Sequence, residues 1–177
     1  MEKHLSKPPW EIIYLLKSKG VLEKKENMDQ IQRYLVECCK RIWILIPDSG
    51  SRKGVLAAEQ FLNGEILWET AYETDWYSEA SAFLFDYSDP TEPQVKKYVN
   101  AVAAQLSEYE ELLCPPQKIS NIQGLLKDAA YFANTALCYP AIRFGLRHRE
   151  SMKQISKFMP DYLFEKAVAK SLYETVL

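Results

Sequence analysis

The residues able to do chemistry are few. The chain carries four cysteines, two histidines and 24 acidic residues in 177. Cys38 and Cys39 are adjacent, whereas Cys114 and Cys138 stand alone. Structural zinc wants four soft ligands, usually in C-x₂₋₄-C pairs. Neighbouring helical residues point about 100° apart, so Cys38 and Cys39 cannot comfortably share one ion. A disulfide framework goes with secretion, and Met1-Glu2-Lys3-His4 leads into no apolar signal core. A cysteine nucleophile needs a base, and the one plausible base is His148. The four thiols are therefore expected to be free, buried and in a reducing cytosol. His4 and His148 are too few for most histidine-based metal sites or triads.

Glu65, Glu69 and Glu73 recur at i, i+4 and i+8. On one helix they would line a single face, where like charges repel mildly. A di-iron bundle would need paired Glu-x-x-His motifs, and the chain has none. Glu108, Glu110 and Glu111 scatter around a helix that soon ends. There is no glycine-rich phosphate loop, no G-x-S-x-G and no H-E-x-x-H. The reading assigns no catalytic residue, no metal and no cofactor.

Charge is distributed more tellingly. Residues 1–60 hold 11 basic and 8 acidic side chains, residues 61–120 hold 3 and 11, and residues 121–177 hold 8 and 5. An acidic middle third thus lies between two mildly basic ones. Within it Trp68, Tyr72 and Trp76 repeat at i, i+4 and i+8 beside the glutamate line. Thr70, Ala71, Thr74, Ser78 and Ala82 occupy the other side. Two orientations are open. The ordinary one makes the aromatic stripe core and the acids a solvated flank. The other packs the small residues inward and turns an aromatic, acidic surface towards a basic partner. On that reading Glu65, Glu69, Tyr72, Glu73 and Trp76 are the candidate protein-binding residues. The candidate basic counterpart is Arg143, Arg147, His148 and Arg149, with Lys153 and Lys157. Nucleic-acid-binding domains commonly have a pI above about 9, and the value here is near 5.8.

The elements that must position these residues are helices. Six glycines and five threonines stand against 52 leucines, alanines and glutamates, all three good helix formers. Long windows show 3.6-residue periodicity and none shows clean alternation. The expectation is an all-α fold, a compact irregular bundle of about 7–9 helices. The length suits one domain over 1–177, with a weak seam at the polar loop 86–93. The longest uncharged run, Ala129 to Ile142, is fourteen residues, too short to span a bilayer. A soluble cytoplasmic protein with no membrane contact is expected.

Pro8-Pro9 starts the first helix and Gly20 stops it. Asn27 to Gln30 reads as a capping box for a second helix ending at Pro47. Asp48 to Ser51 is turn and cap material for a third that closes at Asn63-Gly64. A fourth helix is drawn continuously from Glu65 to Phe85, and a fifth from Val95 to Leu113. Ser120 or Asn121 caps a sixth. A seventh covers Ile142 to Phe158, and the last begins at Pro160-Asp161 and runs through Leu172. The expected core includes Leu35, Ile42, Trp43, Val99, Val102, Leu106, Leu126 and Phe132.

One stretch has a further likeness. Cys38-Cys39-Lys40-Arg41-Ile42-Trp43, Pro47-Asp48, Ser51-Arg52-Lys53, Val55, Ala58-Glu59, Phe61 and Gly64 follow a recurrent pattern. This resembles the motif of a set of uncharacterised helical proteins abundant in planctomycete-type bacterial genomes. The likeness covers about Pro9 to Gly64, departs from the pattern at Ser49-Gly50, and is not evident after Phe85. It implies a helical fold and a bacterial setting, and it carries no activity and no functional residue. The motif has a packing explanation: Arg41 and Arg52 would pair with Glu37, Asp48 or Glu59 around the Pro47 turn. Two functions follow from the sequence. One is a non-enzymatic protein-interaction module, of immunity or inhibitor type, that binds a basic partner. The alternative is an enzyme or nucleic-acid-binding accessory protein using the segment Arg143 to Arg149.

Overall fold

The structure is a computed structural model that describes residues 5–113, 116–137 and 146–177, and the side chains of Leu146 and Arg147 fall outside the description. The fold is all-α, with no strand among the described residues. The helices are α1 (Pro9–Ser18), α2 (Lys25–Arg41), α3 (Ser49–Leu62), α4 (Trp68–Tyr72), α5 (Asp75–Tyr87), α6 (Pro93–Ala103), α7 (Leu106–Leu112), α8 (Ile122–Thr135), α9 (Leu146–Ile155), α10 (Asp161–Ala167) and α11 (Lys170–Glu174). Single 3-10 turns occupy Val21–Glu23, Trp43–Leu45 and Ser156–Phe158.

The boundaries follow local chemistry. Pro9 sits at the first position of α1, where its missing N–H costs nothing. Asp48 caps α3 by accepting from the Ser51 N–H at 2.6 Å, and Asn121 caps α8 by accepting from the Gly124 N–H at 2.8 Å. Gly20 and Gly64 follow α1 and α3 at φ 68° and 75°, a left-handed conformation that glycine adopts without a Cβ clash.

The described part of the uncharged run, Ala129 to Leu137, lies at the centre of the packed helices. Every residue from Ala129 to Leu137 is buried, and α8 packs against α2, α3, α5, α6 and α9. The first half of α8 turns Lys127 and Asp128 towards the surface, whereas its second half carries no charged side chain and is surrounded by these neighbours. Its alanines at 129, 130, 133 and 136 let those neighbours come close. The α3–α5 crossing is tighter still. A Cβ at Gly50 would lie 2.4 Å from both the Tyr77 carbonyl oxygen and Ser81 Oγ, and one at Gly54 would lie 3.2 Å from Ser78 Cβ, with Leu137 Cδ1 after α8 at 2.7 Å. The small face of α5, Ser78 and Ala82, is fully buried at this junction.

Several sequence expectations are corrected here. The helix drawn from Glu65 to Phe85 is broken at Glu73-Thr74, where Thr74 Oγ1 donates to the Ala71 carbonyl at 2.7 Å. The helix from Val95 to Leu113 breaks at Ala104-Gln105, and the last helix breaks at Val168-Ala169. Asn27 is not a cap: α2 already starts at Lys25, and Asn27 Nδ2 donates to the Val21 carbonyl at 2.8 Å. The second helix ends at Arg41 rather than at Pro47. Trp43, Val99 and Leu106 are half-buried, whereas Leu35, Ile42, Val102, Leu126 and Phe132 are core. Arg41 Nε donates to the Phe158 carbonyl at 2.9 Å. Arg52 donates to the carbonyls of Ile46 at 2.6 Å and Trp43 at 3.3 Å. The two arginines therefore tie backbone, and it is Lys40 that pairs with Glu59.

Candidate functional site

The break at Glu73-Thr74 rearranges the candidate acidic face. Glu65 precedes α4 and accepts from Asn63 Nδ2 at 3.3 Å, so it belongs to the turn that closes α3. Glu69 lies within α4, Glu73 is its C-cap, and both are exposed. Trp68 is half-buried, with Phe61 5.4 Å and Tyr72 5.5 Å from its ring. Tyr72 is exposed at 43% and Trp76, now on α5, at 71%. The ordinary orientation, with the stripe as core, is not the one adopted. Ala71, Ser78 and Ala82 are inside and the aromatic side faces out, although Thr70 is exposed as well.

Sequence reasoning missed how far this surface runs. On α5 the outward positions are Trp76, Ala80, Phe83 and Tyr87, spaced i, i+4, i+7 and i+11, and all four are exposed. The inward positions are Asp75, Ser78, Ala82 and Phe85. The available signal was spacing: an uncharged stripe opposite a small-residue stripe on one helix. Phe83 meets Tyr87 at 5.6 Å and Tyr131 at 6.4 Å, both edge-on. On the α3 side, Lys53 Nζ sits 5.7 Å from the Tyr77 ring centroid.

Negative charge borders the ridge. Glu73 stands at its start, half-buried Glu79 beside it, and Asp89 and Glu92 beyond its end. The last turn of α5 holds no basic residue, although cations are what a helix C-terminus favours. Instead Gln123 Nε2 donates to the Phe85 and Ser88 carbonyls, each at 3.0 Å. That arrangement satisfies the backbone and leaves the charge in place. Asp89 accepts from the Thr91 hydroxyl and N–H, which lower the pKa of its carboxyl.

Behind the ridge lies a polar cluster joining α5, α8 and α9. Asn134 Nδ2 donates to Asp75 Oδ1 at 3.1 Å, and Asn134 Oδ1 lies 3.2 Å from His148 Nε2. With the amide hydrogens turned to a carboxylate, the amide oxygen accepts, so His148 donates from Nε2. The His148 ring also meets Tyr131 edge-on at 5.5 Å, and the Tyr131 hydroxyl donates to Asp86 at 2.7 Å. Ser151 donates to Asp128 at 3.0 Å, and burial raises the Asp128 pKa.

The candidate basic patch divides. His148 turns inward to this cluster. The Arg149 guanidinium lies over the rings of Tyr14 at 5.1 Å and Trp10 at 5.8 Å, fastening α9 to α1. Arg143 and the Arg147 side chain lie outside the described residues, as do Cys114 and Cys138. Cys38 and Cys39 are fully buried. Burial pushes the Cys38 thiol up to about 12 and that of Cys39 well above its ordinary value. Both are neutral thiols near pH 7, without the thiolate that reactivity requires. Among the described residues no group of three His, Cys, Asp or Glu side chains is placed to hold a metal ion. None of the described helices is long and apolar enough to cross a membrane. Compared with protein families, with curated proteins and with solved structures, the chain has no match.

Proposed function

We propose that this chain is a protein-interaction module of immunity or inhibitor type, whose α4–α5 face binds a basic partner protein. The observation that carries this is the exposure of Trp76, at 71%, on a helix that instead turns Ser78 and Ala82 fully inward. An exposed aromatic ring is costly, because burying one removes about 150–250 Å² from water. Contiguous exposed aromatic surface of this kind marks interaction sites. Glu69 and Glu73 add the charge that steers a basic partner towards it. The resemblance of Pro9 to Gly64 to helical bacterial proteins is consistent with this setting and contributes no residue to the face.

The test is site-specific photocrosslinking in the native host. A benzophenone side chain replaces Trp76 in one variant and Lys166, exposed on α10, in another. The expected result is one protein adduct from position 76, absent from position 166 and lost when Glu69 and Glu73 are both changed to Lys. Absence of any adduct, or the same adducts from both positions, contradicts the reading.

A further inference from the structure

The acidic, aromatic face has a shape as well as a charge, and it rests on the reading just given. Trp76, Ala80, Phe83 and Tyr87 form one uncharged ridge along α5, spanning twelve residues and eleven steps, or about 16 Å at 1.5 Å per step. Ala80 contributes only a methyl group between Trp76 and the pair Phe83 and Tyr87, which leaves a notch in the ridge. Phe83 is held edge-on by the buried ring of Tyr131, so part of the ridge is ordered before anything binds, which lowers the entropic cost of docking. Charge is asymmetric across it. Glu79 flanks one margin and Glu73 and Asp89 stand at the two ends, whereas Lys53 occupies the α3 side against Tyr77.

We infer that the ridge receives a basic amphipathic helix of the partner, lying along α5 with one apolar side chain in the Ala80 notch. Three turns of helix match the length of the ridge, and apolar anchors at i, i+4, i+7 and i+11 match its spacing. The partner helix carries its lysines or arginines on one flank, facing Glu79 and reaching Glu73 and Asp89 at the ends. Its other flank, which meets Lys53, is neutral or acidic. Glu73, Glu79 and Asp89 around the ridge disfavour an acidic helix by the same complementarity.

The probe is an 18-residue peptide of leucine and lysine with its leucines on one helical face. It is compared with a scrambled isomer that lacks the apolar face and with an analogue bearing Glu in place of every Lys. Binding is followed by backbone amide NMR and calorimetry on the full chain. The expected result is shifts centred on Trp76, Ala80, Phe83 and Tyr87, with affinity at least about tenfold above that of the scrambled isomer. Ala80→Arg and Ala80→Glu, at an exposed position, should each lower affinity about tenfold or more while the thermal midpoint stays put. Equal binding of the scrambled isomer, tight binding of the acidic analogue, or no loss in either Ala80 variant overturns the inference. Concentration-dependent dimerisation of the chain through this ridge, seen by sedimentation, overturns it too. A crosslinked partner that needs Glu69 and Glu73 but tolerates Ala80→Arg sinks the helix and leaves the binding module standing. A partner indifferent to all three sinks both.

Discussion

Phe83 meets Tyr131 edge-on at 6.4 Å, and this contact roots an exposed ridge in the central helix. Tyr131 is buried, and its hydroxyl reaches Asp86 at 2.7 Å. Tyr131→Phe keeps the ring and should cost about 1.5–3 kcal/mol, the loss of one hydrogen bond to a carboxylate. Tyr131→Ala also removes the platform and should cost about 3–5 kcal/mol. Urea unfolding of the two variants checks the ordering; equal costs would remove the ring from the account.

The α3–α5 crossing depends on glycine for space. Gly50 is the second residue of α3, so Gly50→Ala gains less than the about 1 kcal/mol that Ala is worth over Gly in a helix interior. The new Cβ would meet the Tyr77 carbonyl oxygen at 2.4 Å, however, and backbone cannot step aside as a side-chain tip can. Overpacking costs about 1–3 kcal/mol, so the expected outcome is net destabilisation. Thermal melts of Gly50→Ala showing a higher midpoint than the wild type would contradict the close crossing.

Asp128 gives stability a pH dependence. Burial is the largest cause of its raised pKa, opposed by Lys127 and by the Ser151 hydrogen bond. The folded state therefore holds this proton more tightly than the unfolded chain does at the ordinary 3.8. The contribution favours folding fully below that value and is lost as pH rises through the folded pKa. Asp128→Asn keeps an acceptor for Ser151 and removes the titration. Its stability relative to wild type should improve between pH 3.5 and pH 7, a range chosen about the usual carboxylate pKa. A difference that stays flat, or moves the other way, defeats this assignment.

Cys38 and Cys39 should resist alkylation in the native protein. Their burial holds both as neutral thiols, and iodoacetamide attacks the thiolate. Peptide-level mass spectrometry should find them modified only after denaturant is added. Native labelling of either one at the rate of a free peptide thiol would contradict the buried placement.

Much of the helix architecture is legible in particular residues. Pro9, Gly20, Asp48, Gly64 and Asn121 sit where proline, glycine and capping side chains are chemically suited, whereas the uncharged run from Ala129 reads in the sequence only as too short for a membrane span and not as the central helix. The breaks at Glu73-Thr74, Ala104-Gln105 and Val168-Ala169 carry no proline or glycine, so propensity runs straight through them. Thr74 is the one local hint, since its hydroxyl competes for the Ala71 carbonyl. The aromatic side of α5 was ambiguous for a physical reason. Hydrophobicity favours burying Trp76, whereas close helix approach favours burying Ser78 and Ala82, and the Gly50 and Gly54 surface of α3 decides between them. Arg149 shows the reverse limit: its charge suggested a binding patch, but the rings of Trp10 and Tyr14 that engage it are more than 130 residues away in sequence.

The central claim is that the acidic, aromatic face of α4 and α5 steers and holds a basic partner. Its most direct measurement is the association rate of the partner crosslinked from position 76, followed against salt for the wild type and for Glu69→Lys with Glu73→Lys. Exposed charges are screened beyond about 8 Å at physiological ionic strength, so the wild-type rate should fall steeply with salt. The double reversal should associate at least about tenfold more slowly at low salt, lose most of that slope, and unfold at nearly the wild-type denaturant concentration. Equal rates and equal salt slopes for the two proteins would contradict the account.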